Sequence, residues 1–247
     1  WQQPTMNEQE FYQWIGAARG WRFDDIRSEL APEPFNYYAL LAEHVREANW
    51  LDLGCGSAAG LAALIPPCRH YTGLDRSPAM IAQAQATLAP LGDKVTLCVA
   101  DNFKAAPGAG FELISARHTP FHPASVFALL APGGRFITQQ VEIHDKAALK
   151  DCFGRGQNHG ASELIAEGYR SAFEPLQPRE ISLMTYDIDE FFATEDDLLA
   201  LLQSTPIIPD FGQHPDDMAA FSRYVQAHAT PQGIRCNAHR SVLTVIK

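Results

Sequence analysis

Three acids close apolar runs in the first half of the chain: Asp52 after ANWL, Asp75 after HYTGL and Asp101 after VTLCVA. The first leads directly into Gly54-Cys55-Gly56, where glycine permits positive φ and lets a ligand come close to the backbone. A parallel strand that stops at such a turn, ahead of the helix-like SAAGLAALI, leaves backbone N–H groups facing outward, the usual seat of nucleotide cofactors in open α/β sheets. The next glycine is Gly60, and Ala59 takes the third glycine place of a dinucleotide fingerprint, so the spacing disfavours NAD. An acid at Asp52 is wrong for cradling a pyrophosphate and suits a cofactor with a positive amino group and a sulfonium. Asp75, at the next strand end, faces the crevice and can accept from both ribose hydroxyls. Asp101, with Asn102 beside it, is placed to accept from an adenine amino group while a nearby backbone N–H donates to the ring.

Further along, FELISARHTPFH reads as a fourth strand emerging at Ala116 to His118, and Leu130-Ala131-Pro132-Gly133-Gly134 is a turn before the strand RFITQQV. In this ordered set the chain resembles the class I S-adenosylmethionine-dependent methyltransferases, with a type 11-like methyltransferase domain. The first motif of that family reads acid-x-Gly-x-Gly-x-Gly; Ala58 stands where many members keep the last glycine. The resemblance runs from about Trp50 to Val141. It implies S-adenosylmethionine as cofactor, with Asp52, Gly54, Cys55, Gly56, Asp75, Arg76, Asp101, Asn102 and Arg117 around it. It also implies that acceptor and methyl meet beside His118, the candidate general base, since an ordinary imidazole takes a proton near pH ~6.5. A backbone-bonding or capping role for His118 stays open, and His122 is a weaker candidate further along the loop.

The resemblance implies an α/β fold: a Rossmann-like seven-stranded, mostly parallel sheet with helices on both faces and an antiparallel last strand. We expect one domain over 1–247, comprising a helical lid at 1–47, a cofactor-binding core at 48–190, a helical insertion at 191–232 and the last strand at 233–247. Within it, Ser77 should cap a helix that has Pro78 at its first position. GASELIAEGYRSAF suggests a helix ending at Gly168, and the acids opening EDDLLALLQSTP suit a helix N-terminus. The leading segment is dense in aromatics. Most should pack onto the sheet, with Trp21, Tyr37 and Tyr38 foremost among those that could line the site.

The net charge of −10 argues against a broad phosphate-binding surface, so no nucleic-acid partner is expected. Five scattered cysteines without Cys-x-x-Cys spacing indicate neither a disulfide framework nor a zinc site. No apolar run is long enough for a membrane span and no signal-peptide pattern opens the chain, so a cytoplasmic protein with no membrane partner is expected. Ala116-Arg117-His118 supplies no Asn-Pro-Pro-Tyr motif and no hard oxygen ligands for Mg²⁺, so a metal-independent reaction on a small-molecule acceptor is expected. An RNA or protein methyltransferase, or a cofactor-binding regulatory module without turnover, stands as the alternative.

Overall fold

The protein is described here from a computed structural model, which covers residues 11, 14, 15, 25–101 and 108–247. In chain order the strands are β1 (Ser28–Leu30), β2 (Asn49–Leu53), β3 (His70–Asp75), β4 (Val95–Val99), β5 (Phe111–Arg117), β6 (Leu130–Val141), β7 (Glu180–Phe192), β8 (Ala229–Thr230) and β9 (Gly233–Ile246). The α-helices are α1 (Tyr37–Ala42), α2 (Pro78–Leu88), α3 (Pro123–Leu129), α4 (Ala147–Phe153), α5 (Ile165–Phe173), α6 (Glu195–Ser204) and α7 (Asp217–His228).

The strands form one sheet in the order β1-β7-β9-β6-β5-β2-β3-β4. β4, β3, β2, β5 and β6 run parallel, and β9 lies antiparallel between β6 and β7. This is the expected α/β arrangement with its antiparallel last strand, but two short strands add to the expected seven. β7 is long enough for its far end to take β1 as an antiparallel neighbour, and β8 forms a hairpin with β9. That hairpin depends on Gly233: its φ is +126°, and a Cβ there would lie 2.3 Å from the Phe192 carbonyl oxygen.

Helices cover both faces because successive side chains on each strand point to opposite sides. Trp50, Tyr71, Leu113 and Ile137 face Leu41 of α1 and Ala84 of α2. Leu51, Leu53, Ile114 and Phe136 face Val126 of α3 and Phe173 of α5. A further cluster joins Leu149, Leu198 and Tyr224 of the outer helices to Phe192 and Ile234. Helix starts are capped as the sequence dictates: the Ser77 hydroxyl accepts from the Met80 N–H ahead of Pro78, and Thr194 caps α6. α5 is capped from a distance, its first two N–H groups donating to the carboxylate of Glu142 at 2.8 and 2.9 Å.

Two expected local features differ. SAAGLAALI is a succession of turns with no α-helix: Ala58, Leu61 and Leu64 each donate to the carbonyl three residues back. Ala58 has φ +55°, outside the helical region, and Pro66-Pro67 closes the segment. α5 passes through Gly168 and ends at Phe173, because the exposed Gly168 keeps its backbone bond to the Leu164 carbonyl. All five cysteines are free thiols. Among the described residues, no helix is long and apolar enough to cross a membrane.

Candidate active site

The parallel strands deliver their carboxyl ends to one edge of the sheet, where β2 and β3 bring Asp52 and Asp75 together. Asp52 is 4% exposed. Its carboxylate accepts from the Tyr71 hydroxyl at 3.1 Å and from the Ser115 hydroxyl at 2.5 Å, and Ser115 in turn accepts from the Trp50 indole at 2.7 Å. Burial raises the Asp52 pKa to about 7, against the two hydrogen bonds that favour the anion. Asp75 accepts from the Ser77 N–H at 2.8 Å on one oxygen and from the Gly56 N–H at 3.0 Å on the other. Each oxygen keeps a second lone pair for a ligand hydroxyl. Burial raises the Asp75 pKa as well.

The two glycines of the turn serve different ends. Gly54 has φ +70°, and a Cβ on it would meet Thr119 side-chain atoms at 2.7 to 2.8 Å, so the space above it belongs to the protein's own loop after β5. Gly56 has φ +54°, and among the described residues nothing lies within 4 Å of a Cβ position. That open side belongs to the residue whose N–H donates to Asp75. The turn N–H groups are partly engaged within the fold, since Cys55 donates to the Leu74 carbonyl. Without an α-helix after the turn, no helix dipole faces this opening. Cys55 itself is buried, its thiol pushed up by burial and by the charges of Asp52 and Asp75.

Arg76 is exposed beside Asp75, and Asp101 is partly buried past the end of β4. Asn102 lies outside the described residues, as does Trp21. Tyr37 is core, buried under the sheet. Tyr38 is at the rim: its hydroxyl lies 2.7 Å from where a Cβ on Gly60 would sit, and the Arg117 guanidinium lies over its ring at 5.3 Å. Arg117 points away from β3, its Nε donating to Gln139 Oε1 at 2.9 Å. Gln139 Nε2 donates to the Tyr186 hydroxyl at 2.9 Å.

His118 follows β5 with φ +53°, its N–H bonded to the Gln139 carbonyl. The protein packed around its ring, then the charges of Arg117 and Arg240, push the imidazole well below 6.5, although part of the residue is exposed. His122 is a helix cap: it precedes α3, and its Nδ1 accepts from the Ser125 N–H. Among the described residues, no group of three metal-ligating side chains forms.

Sequence reasoning missed the residues that hold the acids. Ser115 is the polar interruption in the apolar face of β5 and the register partner of Asp52, a signal readable only once strand pairing is known. Tyr71 reaches Asp52 because Gly73 leaves room along the strand: a Cβ on Gly73 would lie 3.1 Å from the tyrosine ring.

A family model described as "Methyltransferase domain" matches residues 51–134, the stretch that carries Asp52, the glycine turn and Asp75. Over that stretch the chain is similar to methyltransferase domains. A trans-aconitate 2-methyltransferase of Methylobacterium radiotolerans is 37% identical to this chain over 131 residues, 48% of this chain and 46% of the relative. The match thus spans about half the length of that curated relative. Among solved structures, a functionally unknown protein from Deinococcus radiodurans R1 superposes with a TM-score of 0.64 at 16% identity, over 96% of this chain and 99% of that one. The N-methyltransferase NodS from Bradyrhizobium japonicum WM9, in complex with S-adenosyl-L-homocysteine, superposes with a TM-score of 0.52 at 14% identity, over 97% of each chain. Both likenesses are of fold.

Proposed function

We propose that the protein transfers the methyl group of S-adenosylmethionine to a small-molecule acceptor without a metal ion. The observation that carries this reading is the open turn at Gly56, which follows the buried Asp52 in the chain and donates its N–H to Asp75. The residues fit the cofactor. Asp52 suits a positively charged amino group, Asp75 has lone pairs left for ribose hydroxyls, and the missing Cβ of Gly56 leaves a cradle. Asp101 and Asn102 are the proposed adenine contacts. When bound, S-adenosylmethionine supplies an electrophilic methyl on a sulfonium. The chain's own part is to align the acceptor in line with that methyl and to exclude water.

His118 stands at the acceptor end, neutral at pH 7 and able to take a proton from an acceptor that carries one. Metal independence is supported by the side chains at the end of β5, where Arg117 and His118 are poor partners for a hard cation. A small-molecule acceptor is in keeping with the curated relative, whose named substrate is trans-aconitate. The aromatic leader up to Tyr38 is proposed as a lid over the site within one domain, with Tyr38 at its rim.

The test is incubation with methyl-labelled S-adenosylmethionine and a panel of small acceptors, read by mass spectrometry with and without a chelator. Labelled product that survives chelation is expected. Turnover abolished by the chelator and restored by Mg²⁺ contradicts the metal-free reading. Transfer only to RNA or protein contradicts the acceptor class.

A further inference from the structure

The carboxyl edge of the sheet is divided by charge. The β2, β3 and β4 ends carry Asp52, Asp75 and, just beyond, Asp101. The other half carries Arg117 at the end of β5 and Arg240 on β9, paired in register with Val141 at the end of β6. Resting on the methyltransferase reading above, we infer that the acceptor is a small carboxylate, held by the guanidinium groups of Arg117 and Arg240 beside the Gln139–Tyr186 bridge.

Gln139 ties this half together. Its carbonyl oxygen fixes Arg117 through Nε, and its amide fixes Tyr186, the register partner of Arg240 on β7. Arg117 is the register partner of Gln139, and Tyr186 that of Arg240, so with the Gln139–Tyr186 bond these four side chains stand on one face of neighbouring strands. With Nε engaged and its guanidinium over the Tyr38 ring, Arg117 keeps both terminal amino groups without a protein acceptor among the described residues. Arg240 uses Nη1 on Asp145 and on the His239 carbonyl, which leaves Nε and Nη2. A planar fork of donors of this kind matches the two oxygens of a carboxylate.

Among the described residues, the neighbouring acids balance Arg240 and Lys146 and leave Arg117 as the cation in excess. Asp145 is shared between Arg240 and Lys146, Glu190 is taken by Lys146, and Glu142 caps α5. Glu33, exposed on the segment before α1, acts on Tyr186 from the solvent side. An ammonium acceptor would meet repulsion from Arg117, whereas a carboxylate meets Arg117, unpaired among the described residues, and the remaining donors of Arg240 on one side and a cationic methyl donor on the other.

The chemistry balances without a base. A lone pair of the carboxylate oxygen forms the new O–CH₃ bond as the C–S bond breaks, and the bonding pair stays on sulfur. A methyl ester and a neutral thioether result. No proton moves, so the proton-accepting capacity of His118 is not called upon.

The test uses protein saturated with S-adenosylhomocysteine, titrated by calorimetry with glutarate and tricarballylate against glutaramide, and the same compounds as acceptors of labelled methyl. Parent protein is expected to bind and methylate a carboxylate probe and to ignore the amide. Arg117→Gln, a change at an exposed side chain, should raise the carboxylate Kd and KM by about 10- to 100-fold, the loss of a charge-assisted pair, with S-adenosylhomocysteine affinity unchanged. Arg117→Lys should recover only part of the loss. Parent protein that binds S-adenosylhomocysteine but neither carboxylate, or that methylates amines instead, overturns the inference and leaves the methyltransferase reading standing. Loss of S-adenosylhomocysteine binding in Arg117→Gln also overturns it and returns Arg117 to the cofactor. Failure of the parent to bind S-adenosylhomocysteine contradicts the underlying reading.

Discussion

Tyr71 and Asp52 lie on adjacent strands and meet through a 3.1 Å hydrogen bond in which the phenol donates to a buried carboxylate. Tyr71 is fully buried and packs edge-on against Trp50 at 5.0 Å, so the donor is held in place by the core. The position of the acid is thereby fixed before any ligand arrives.

That arrangement makes Asp52 a pH-sensitive element. Its folded pKa is raised to about 7 from 3.8, so its contribution is fully present below pH ~4 and is lost as pH rises toward 7. The shift corresponds to at most about 4 kcal/mol. Thermal melts of Asp52→Asn, which cannot ionise, should lack this loss, so the variant gains stability relative to the parent between pH 5 and pH 8. An unchanged difference across that range contradicts the assigned shift.

The two glycines of the turn should respond unequally. Gly54→Ala meets both an unfavourable φ, about 1–2 kcal/mol, and collision with Thr119, about 1–3 kcal/mol. Gly56→Ala meets only the first, but places a methyl in the open cradle. Denaturant titration should rank Gly54→Ala as the less stable variant, and calorimetry should show the cofactor-binding loss in Gly56→Ala, which stays folded. Equal stability of the two would show that Thr119 yields easily.

His118 and His239 both have pKa values held below 6.5, His118 by the protein packed around it and then by the arginines, His239 by burial first. The unfolded chain takes up these protons first. Stability from these groups is therefore fully present above pH ~6.5 and falls as pH drops below it. His118→Gln should flatten part of that acid-side decline in melts between pH 7 and 5. A decline identical to the parent's would show that His118 does not titrate differently on folding.

Much of this was legible in the sequence because strand ends announce themselves. Apolar runs stopping at Asp52 and Asp75 placed both acids at the sheet edge, and Ser77-Pro78 marked the start of α2. SAAGLAALI misled because its alanines and leucines favour a helix, whereas the positive φ of Ala58 and the proline pair stop one from forming. The partners Ser115 and Tyr71 were hidden because they depend on the pairing of three strands and on the space left by Gly73. Arg117 follows β5 as expected, but the direction of its side chain is set by Gln139 and Tyr38, contacts that no local pattern encodes.

The central claim is that the edge formed by β2 and β3 binds the methyltransferase cofactor, and calorimetric titration with S-adenosylhomocysteine tests it most directly. Stoichiometric binding by the parent is expected, with an affinity weaker by about 1.5–3 kcal/mol in Asp75→Ala, the range for a charge-assisted hydrogen bond. Asp75→Asn, which keeps a carbonyl acceptor for the turn N–H groups, separates ligand contact from loosening of the turn. No binding by the parent, or binding by Asp75→Ala as tight as the parent's, would contradict it.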